Sequence, residues 1–264
     1  MRVNDTTPVS QTRLSIDGKR YYNCNGVPKP LPSVTTILSS TQTEETRKKL
    51  AAWNLSNPGA LEKAASRGTW IHSATENHIR GLRVEPPSEY LPYWKDVPET
   101  LDDLLKNGKV LWSESPFNQP QWHKYVGDDG VGRLHYYDDK TEQGYAGCPD
   151  LIYKDENNEI VLADFKTSTS PYSLKFPKAN SGIPDNVRKA LISGVFKAKK
   201  TMLQMAAYSL AAEKCLGVHV DKTRIIVSTP LPDYSVQVFS FSRKELEKHM
   251  EMWLQVLRQF YENA

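Results

Sequence analysis

The sequence has few cysteines and no long apolar run. Its 264 residues include three cysteines, Cys24, Cys148 and Cys215, which are far apart and form no C-x-x-C pair. One chain of this kind cannot build a four-cysteine iron–sulfur cluster, and the spacing also argues against a structural zinc site. No run of 18 apolar residues is present, so we expect no transmembrane helix and no membrane association.

The sequence also lacks a strong charge imbalance and an apolar leader. The net charge is +3, which by itself indicates no class of partner. The N-terminus has no apolar core of the kind found in secretory signals. Its Ser/Thr content and two arginines support a transit peptide only weakly, and Asp5 and Pro8 argue against one. Scattered free thiols are typical of a reducing compartment.

The order of apolar and polar segments predicts one α/β domain over residues 1–264. It begins with a small hairpin and a helical part (about 1–80), and continues into a central mixed sheet of about four or five strands. A helix then crosses before the last two strands. Residues 115–145 have the composition of a long hairpin or insertion. Residues 169–197 are predicted to be a long irregular connection, which favours a functional role.

A D-x-K tripeptide follows an apolar run at Asp164-Phe165-Lys166. The chain has two other such tripeptides, but one lies in a predicted hairpin turn at 17–19 and the other in a polar loop at 138–140. Only the third ends a segment, "EIVLADF", that is typical of a buried strand. The alternative to a functional site is that this strand ends in solvent and that its two charged residues are simply hydrated.

Hairpin geometry places a second carboxylate opposite the first. If "DLIYK" and "EIVLADF" pair as antiparallel strands around a turn at 156–158, residues whose numbers sum to about 314 face each other, which sets Asp150 opposite Asp164. Side chains alternate along a strand, so Asp164 and Lys166 share one face. Opposed carboxylates destabilise a sheet unless something binds them. Mg²⁺ or Mn²⁺ would satisfy such oxygen ligands.

Further polar residues are candidates for the same site. His72 lies four residues before Glu76 on a predicted helix face and offers an imidazole ligand, although a lone histidine is more often structural. Gln204 and Tyr208 have the same spacing, with a core-facing tyrosine as the alternative. Glu114 ends a strand and would contact a metal through water or remain an exposed acid.

A basic segment follows the D-x-K strand. Residues 171–200 contain one acid and seven Lys/Arg residues, with the aromatics Tyr172, Phe176 and Phe196 between them. Such a segment suits a phosphate-binding arch over a single strand, and a solvated loop is the alternative. We also expect Arg67, Ser33 and Thr35 to meet phosphates. The complete predicted nucleic-acid set is Ser33, Thr35, Arg67, Thr167, Ser168, Lys175, Lys178, Arg188, Lys189, Lys197, Lys199 and Lys200.

These residues occur in an order that resembles a known nuclease pattern. The order is Gly68-x-x-x-His72-x-x-x-Glu76, Glu114, Gly147-x-x-Asp150, Asp164-x-Lys166-Thr167-Ser168 and Gln204-x-x-x-Tyr208. It is similar to the RecB-type branch of the PD-(D/E)xK superfamily. With "LPSVTTIL" and the C-terminal helix, it resembles the mitochondrial genome maintenance exonuclease-like family and its phage and bacterial relatives.

The resemblance implies a restriction-endonuclease-like core in which a mixed sheet is flanked by helices. It implies Mg²⁺ or Mn²⁺ held by His72, Asp150, Asp164 and the backbone carbonyl of Phe165. Lys166 would be the catalytic lysine, oriented by Gln204 and Tyr208, and Glu114 would belong to the same catalytic set. The long stretch between Glu114 and Gly147 departs from the mitochondrial enzyme, so substrate preference and polarity are open.

The sequence therefore predicts a divalent-metal-dependent DNA exonuclease that prefers single strands. The alternatives are a structure-selective flap or fork endonuclease and a non-catalytic DNA-binding factor on the same fold. No helicase motif is present, so unwinding would need a helicase or a replication or recombination protein as partner. We expect a cytoplasmic location in a bacterium or phage-infected host cell, with the mitochondrial matrix as the alternative.

Overall fold

The computed structural model describes residues 12–178 and 182–263. The question of a transit peptide in the first eleven residues therefore falls outside the described residues. The helices are α1 (Val34–Ser40), α2 (Glu44–Ser56), α3 (Ala60–Ile79), α4 (Leu91–Trp94), α5 (Val97–Leu105), α6 (Asp185–Leu216) and α7 (Arg243–Glu262). The N-terminal strands are the four-residue β1 (Arg13–Ile16) and β2 (Lys19–Tyr22), followed by the two-residue β3 (Leu31–Pro32).

The remaining strands build a central sheet and a side hairpin. They are β4 (Lys109–Ser113), β5 (Ser115–Pro116), β6 (Leu134–Asp138), β7 (Gln143–Gly147), β8 (Leu151–Lys154), β9 (Ile160–Thr167), β10 (Lys222–Ser228) and β11 (Val236–Ser242). The central sheet has the order β11-β10-β9-β8-β4-β5. Only β9 and β10 pair in parallel, and α6 is the crossover that joins them. This mixed sheet flanked by helices is a restriction-endonuclease-like core, as the sequence predicted.

The pairing of β8 with β9 has the predicted register. Leu151 faces Ala163 and Lys154 faces Ile160, so each pair sums to 314. The turn lies at 155–159, where Asn158 adopts a φ of 62°, a conformation that asparagine tolerates better than most residues. Asp150 directly precedes β8 and lies at the level of Asp164. Local alternation and a polar turn were sufficient to define this register.

Alternating residues of the central sheet feed two separate cores. On one face, Ile152 and Leu162 pack with α1, α6 and α7. On the other face, Tyr153 and Val161 pack with α3, α4 and α5. Even-numbered positions of β9 thus face α6, and Asp164 and Lys166 continue that series beyond Leu162. The strand therefore directs its two charged residues toward the face where α6 lies.

Two helix starts and the N-terminal hairpin also match their sequence signals. The Ser33 and Thr43 side chains accept hydrogen bonds from the backbone N–H groups of residues three positions later, at the starts of α1 and α2. Strands β1 and β2 meet at a turn in which Asp17 and Gly18 both have positive φ, the geometry that an Asp-Gly hairpin requires. Residues 134–147 form the predicted hairpin of the 115–145 region as β6 and β7.

The prediction of an irregular connection over 169–197 is wrong for its second half. Helix α6 begins at Asp185 and runs for 32 residues, about 48 Å at the usual rise. Gly194 lies inside this helix and is buried. A Cβ atom there would lie 2.5 Å from the carbonyl oxygen of Pro171, so this glycine permits close packing instead of ending the helix. Within the described residues, no helix is long and apolar enough to cross a membrane.

Candidate metal and nucleic-acid site

A cavity of about 270 Å³ lies where β9 emerges from the sheet. It collects side chains from the hairpin, α1, α3, the ends of β4 and β9, and α6. The predicted residues that line it are Ser33, Thr35, His72, Glu114, Gly147, Asp150, Asp164, Lys166, Gln204 and Tyr208. Residues from almost the whole length of the described chain thus converge on one point.

Three carboxylates lie abreast on neighbouring strands. Strand β4 pairs with β8 so that Ser113 faces Leu151, and the next position brings Glu114 beside Asp150. The backbone N–H of Glu114 donates to the Asp150 carbonyl at 2.9 Å. Asp164 continues the row on β9. Each strand alone contributes one acid at its end, and the sheet aligns the three.

Asp150 is fixed by two different groups. Its Oδ2 atom accepts a hydrogen bond from the backbone N–H of Phe165 at 2.7 Å. Its Oδ1 atom lies 3.2 Å from Nδ1 of His72. Phe165 itself is buried and contacts the imidazole edge-on. The aspartate therefore has a defined orientation, with one oxygen held by the backbone of the D-x-K strand and the other directed toward α3.

Asp164 is fully buried and faces a chain of polar groups from Lys166 and α6. The Lys166 ammonium forms an ion pair with its Oδ2 atom, and Nε2 of Gln204 lies 3.4 Å from its Oδ1 atom. The same Gln204 nitrogen donates to the Tyr208 hydroxyl at 2.9 Å. Gln204 and Tyr208 thus support the carboxylate side of the ion pair, and the glutamine links Asp164 to the buried tyrosine.

A glycine makes room for that tyrosine. A Cβ atom at Gly147 would lie 2.3 Å from Cε1 of Tyr208, closer than any real contact. The spacing Gly147-x-x-Asp150 therefore has a steric reason, because the strand that leads to Asp150 passes directly against the α6 tyrosine.

His72, Glu114 and Asp150 form a group that could hold a metal ion. One ligand atom from each lies within 4.8 Å of the others, and Nδ1 of His72 is 3.9 Å from Oε1 of Glu114. One nitrogen and two carboxylate oxygens are a donor set that suits Mn²⁺ and, through the oxygens, Mg²⁺. The residues present therefore fit a divalent cation.

The backbone of Glu114 is held in an unusual conformation. Its φ is 50°, in the left-handed region that glutamate rarely adopts. Its N–H donates to Asp150, and its carbonyl accepts from the Gly132 N–H at 2.7 Å. Strained residues of this kind persist where surrounding contacts fix them, often at functional sites. The sequence left Glu114 between a water-mediated contact and an exposed acid, and the structure sets it beside His72 and Asp150.

Electrostatics distinguish the two aspartates. The neighbouring Asp150 carboxylate raises the pKa of His72 to about 9 against the opposing effect of burial. Burial alone would raise the pKa of Asp150, but the His72 charge and hydrogen bond, with Lys166, hold it below its ordinary value. Burial raises the pKa of Asp164 to about 6, although the Lys166 ammonium opposes this. Asp150 is therefore the more acidic of the pair.

Lys166 remains a cation in this setting. Burial lowers its pKa, but the charges of Asp164 and Asp150 outweigh that effect and raise the pKa above the ordinary value. In the metal-free protein, a charged Lys166 and His72 offset the adjacent carboxylates. A divalent ion would replace the imidazolium proton as the counter-charge.

Four of the predicted nucleic-acid residues meet at the end of β9. Nε of Arg67 donates to the Thr167 hydroxyl at 3.3 Å, and its guanidinium lies 4.5 Å from the centre of the Tyr93 ring. Nζ of Lys197 donates to the Ser168 hydroxyl at 2.9 Å. Burial and the Arg67 charge lower the pKa of Lys197. Two cations are thus anchored immediately beyond Lys166.

The other basic residues of the predicted arch are spread along two segments. Lys175 and Lys178 precede α6, and Arg188 lies on its first turns. None of these three is among the residues that line the 270 Å³ cavity. Lys189, Lys199 and Lys200 border a different cavity, of about 730 Å³, whose lining also includes Leu38, Ile192, Phe196 and Leu203. From Asp185 onward, the basic segment that was predicted to form an arch therefore lies on helix α6 and is not a loop.

Two residues have different roles from those that the sequence suggested. Tyr172 is buried, and its backbone exchanges hydrogen bonds with the Gln237 side chain, so it is not a stacking platform. Ser33 is 3% exposed, and its hydroxyl caps α1 by accepting from the Thr36 N–H. Phe176 and Phe196 are exposed, and their ring centres lie 5.7 Å apart in an edge-to-face arrangement.

Sequence reasoning missed Arg20. Its side chain lines the site cavity, although the residue belongs to the N-terminal hairpin. The adjacent basic residues Lys19 and Arg20 in "DGKRYY" could have indicated an anion-binding residue. Nothing in that segment, however, shows that the hairpin packs against α1.

The chain matches no protein-family profile and no curated protein. Among solved structures, "Crystal structure of SSO0001" is similar over 85% of this chain and 75% of that chain, with 14% identity and a TM-score of 0.34. A "putative exonuclease" from Eubacterium rectale is similar over 72% of this chain and 74% of that chain, with 12% identity and a TM-score of 0.33. At these TM-scores neither structure carries an argument about this chain.

Proposed function

We propose that this protein is a divalent-metal-dependent deoxyribonuclease of the PD-(D/E)xK type, acting as an exonuclease on single-stranded DNA. The observation that carries the proposal is the row of Glu114, Asp150 and Asp164, with His72 at one end and Lys166 at the other, in a single cavity. A cluster of partly buried acids beside the fully buried Asp164, with perturbed pKa values and in a cavity, is typical of catalytic sites. The ordered sequence resemblance supports the preference for single strands and for strand ends.

Each side chain has a distinct part in the proposed reaction. His72, Asp150 and Glu114 hold the cation, with Asp164 and the Phe165 carbonyl added by the resemblance. The cation supplies Lewis-acid polarisation of the phosphate and lowers the pKa of water. Lys166, charged and adjacent to the acids, stabilises negative charge that develops on the phosphate. Gln204 and Tyr208 keep Asp164 and thereby Lys166 in place.

The end of β9 and the first half of α6 provide the nucleic-acid contacts in this proposal. Arg67 and Lys197 lie next to the metal group and suit the phosphates that flank the cleaved bond. The exposed pair Phe176 and Phe196 offers a surface on which bases stack, with Lys199 4.9 Å from the Phe176 ring centre. A helicase or a replication or recombination protein would supply the single strand.

Digestion of labelled DNA tests the function directly. Single- and double-stranded DNA, labelled at the 5′ or the 3′ end, would be incubated with Mg²⁺, with Mn²⁺ or with EDTA. We expect metal-dependent release of label from single strands and intact circular single-stranded DNA. Cleavage of circles would instead identify an endonuclease, and binding without cleavage would identify a non-catalytic factor. Lys166→Gln should abolish cleavage, and full activity in that variant would contradict the proposed role.

A further inference from the structure

Arg20 and Thr35 each line two cavities. One is the metal-site cavity, and the other has a volume of about 440 Å³. The second cavity is also lined by Arg13, Lys19 and Lys200, together with the hydroxyl side chains of Ser15, Thr36 and Ser39. Because two residues are common to both, the second cavity adjoins the site directly.

A third cavity adjoins the second. It has a volume of about 550 Å³, shares Lys19 and Ser39 with the second cavity, and adds Arg47. Its remaining lining residues are Tyr21, Ser40, Thr41, Gln259, Phe260 and Asn263. No Asp or Glu of the described residues lines the second or third cavity. A depression without carboxylates therefore leads away from an acidic site.

The cations of this depression are not neutralised within the described part of the chain. None of Arg13, Lys19, Arg20, Arg47 and Lys200 forms an ion pair with a carboxylate there. Burial, and then the charge of Lys166, lower the pKa of Lys200. Converging unpaired cations in a concave surface attract anions. We call these five residues the hairpin groove.

The groove is held in shape by the backbone of β2. The Arg20 N–H donates to the Thr36 hydroxyl at 3.2 Å, and the Arg20 carbonyl accepts from the Ser33 N–H at 2.9 Å. The Thr36 hydroxyl also donates to that carbonyl at 2.9 Å. These bonds fasten the hairpin to the start of α1, so the backbone that carries Arg13, Lys19 and Arg20 has a fixed position beside the site.

We propose that the hairpin groove binds consecutive backbone phosphates of a single-stranded nucleic acid as it leaves or approaches the metal site. The proposal rests on the proposed function for the identity of the strand. Three linked cavities with cations spaced along them fit a polyanion better than a single terminal phosphate. Arg67 and Lys197 at the end of β9 are a separate set of contacts, so the strand would be held at two places.

The salt dependence of DNA binding measures these contacts. A fluorescent poly-thymidine strand of about 20 nucleotides would be titrated at several salt concentrations in EDTA, which prevents metal-dependent cleavage. Each lost phosphate contact reduces the slope of log affinity against log salt by about 0.7 for single strands. The double variant Arg13→Gln/Lys19→Gln removes two such contacts and should therefore reduce the magnitude of this slope by about 1.4. The matched control Lys244→Gln/Lys248→Gln removes two exposed cations of α7 and should leave the slope unchanged.

Three outcomes would overturn the groove. The first is an unchanged slope in Arg13→Gln/Lys19→Gln with a native circular dichroism spectrum. The second is a change seen only with 5′-phosphorylated strands, which would indicate a single terminal-phosphate site. The third is an equal change with poly-glutamate, which would indicate an acidic protein ligand. Cleavage by the unaltered protein is measured separately. If that protein cleaves DNA but the slope of the Arg13→Gln/Lys19→Gln variant is unchanged, only the phosphate-binding role of the hairpin groove is refuted. If the unaltered protein does not cleave DNA but the variant shows the expected change in slope, only the proposed nuclease activity is refuted.

Discussion

The carboxylate of Asp150 accepts a hydrogen bond from the backbone N–H of Phe165 at 2.7 Å. The middle residue of the D-x-K tripeptide thus orients the aspartate of the neighbouring strand through its backbone. This bond leaves Oδ1 of Asp150 directed at His72. A short antiparallel pairing therefore fixes the orientation of the Asp150 carboxylate relative to His72, and side-chain flexibility plays little part.

Replacing Asp164 with asparagine should remove activity while preserving the fold. The asparagine keeps the shape but removes the charge that holds Lys166, so we expect the cleavage rate to fall by about 10²–10³-fold, the scale seen when one preorganised electrostatic partner is lost. Initial rates on single-stranded DNA would measure the loss, and thermal unfolding would verify the fold. The control Asp138→Asn changes an acid of the β6–β7 hairpin and should retain full activity. Equal rates in both variants would refute the role of Asp164.

Metal binding should release a proton from His72. The pKa of this histidine is about 9 in the metal-free protein, so the imidazole is charged at pH 7 and must lose its proton to become a ligand. Apparent Mn²⁺ affinity should therefore rise by about tenfold per pH unit between pH 7 and 9. Calorimetric titration in buffers of different ionisation enthalpy measures the proton count. His72→Gln should release about one proton fewer, and an identical count in both proteins would exclude His72 as a ligand.

The metal-free protein should lose stability as the pH rises above neutrality. The folded-state pKa of His72 is raised above its ordinary value of 6.5 to about 9. The contribution of its ion pair with Asp150 is therefore fully present below pH 6.5 and is lost as the pH rises through 9. Denaturant unfolding in EDTA at several pH values would show this decline. The decline should be smaller in His72→Gln, and an equal decline would attribute it to other groups.

Alanine at Gly147 should be destabilising. A Cβ atom there would lie 2.3 Å from Cε1 of Tyr208, so the tyrosine or the strand must move, at a cost of about 1–3 kcal/mol. Movement of Tyr208 would also disturb Gln204 and lower the cleavage rate. Thermal unfolding and initial rates measure the two effects.

Gly68 provides the matched control for that substitution. It lies inside α3, and a Cβ atom there meets no other atom within 4 Å. Gly68→Ala should increase stability by about 1 kcal/mol, because alanine is the better helix former. If both alanine variants were equally stable, the close approach of Tyr208 to Gly147 would not be the constraint that the structure indicates.

Several features could be predicted because they depend on neighbours in sequence. The β8–β9 register follows from alternating apolar residues around a polar turn, and it placed Asp150 opposite Asp164. The caps of α1 and α2, the Asp-Gly hairpin and the helical spacing of Gln204 and Tyr208 are equally local. Helix α6 shows the limit of such reasoning, since residues 169–197 were predicted to be an irregular connection and the helix begins at Asp185. Gly194 lies inside it against Pro171, a contact that the sequence does not show.

The sequence by itself determined the register of β8 with β9, the helical spacing of Gln204 and Tyr208 and the identity of the acids at the strand ends. Only the tertiary structure decided that Glu114 lies abreast of Asp150, because that depends on β4 pairing with β8 across more than thirty residues of chain. The same holds for Arg20, which reaches the site because β2 is bonded to the start of α1. Contacts between distant segments leave little periodic signal in a single sequence, since they are selected by the packing of whole faces against each other.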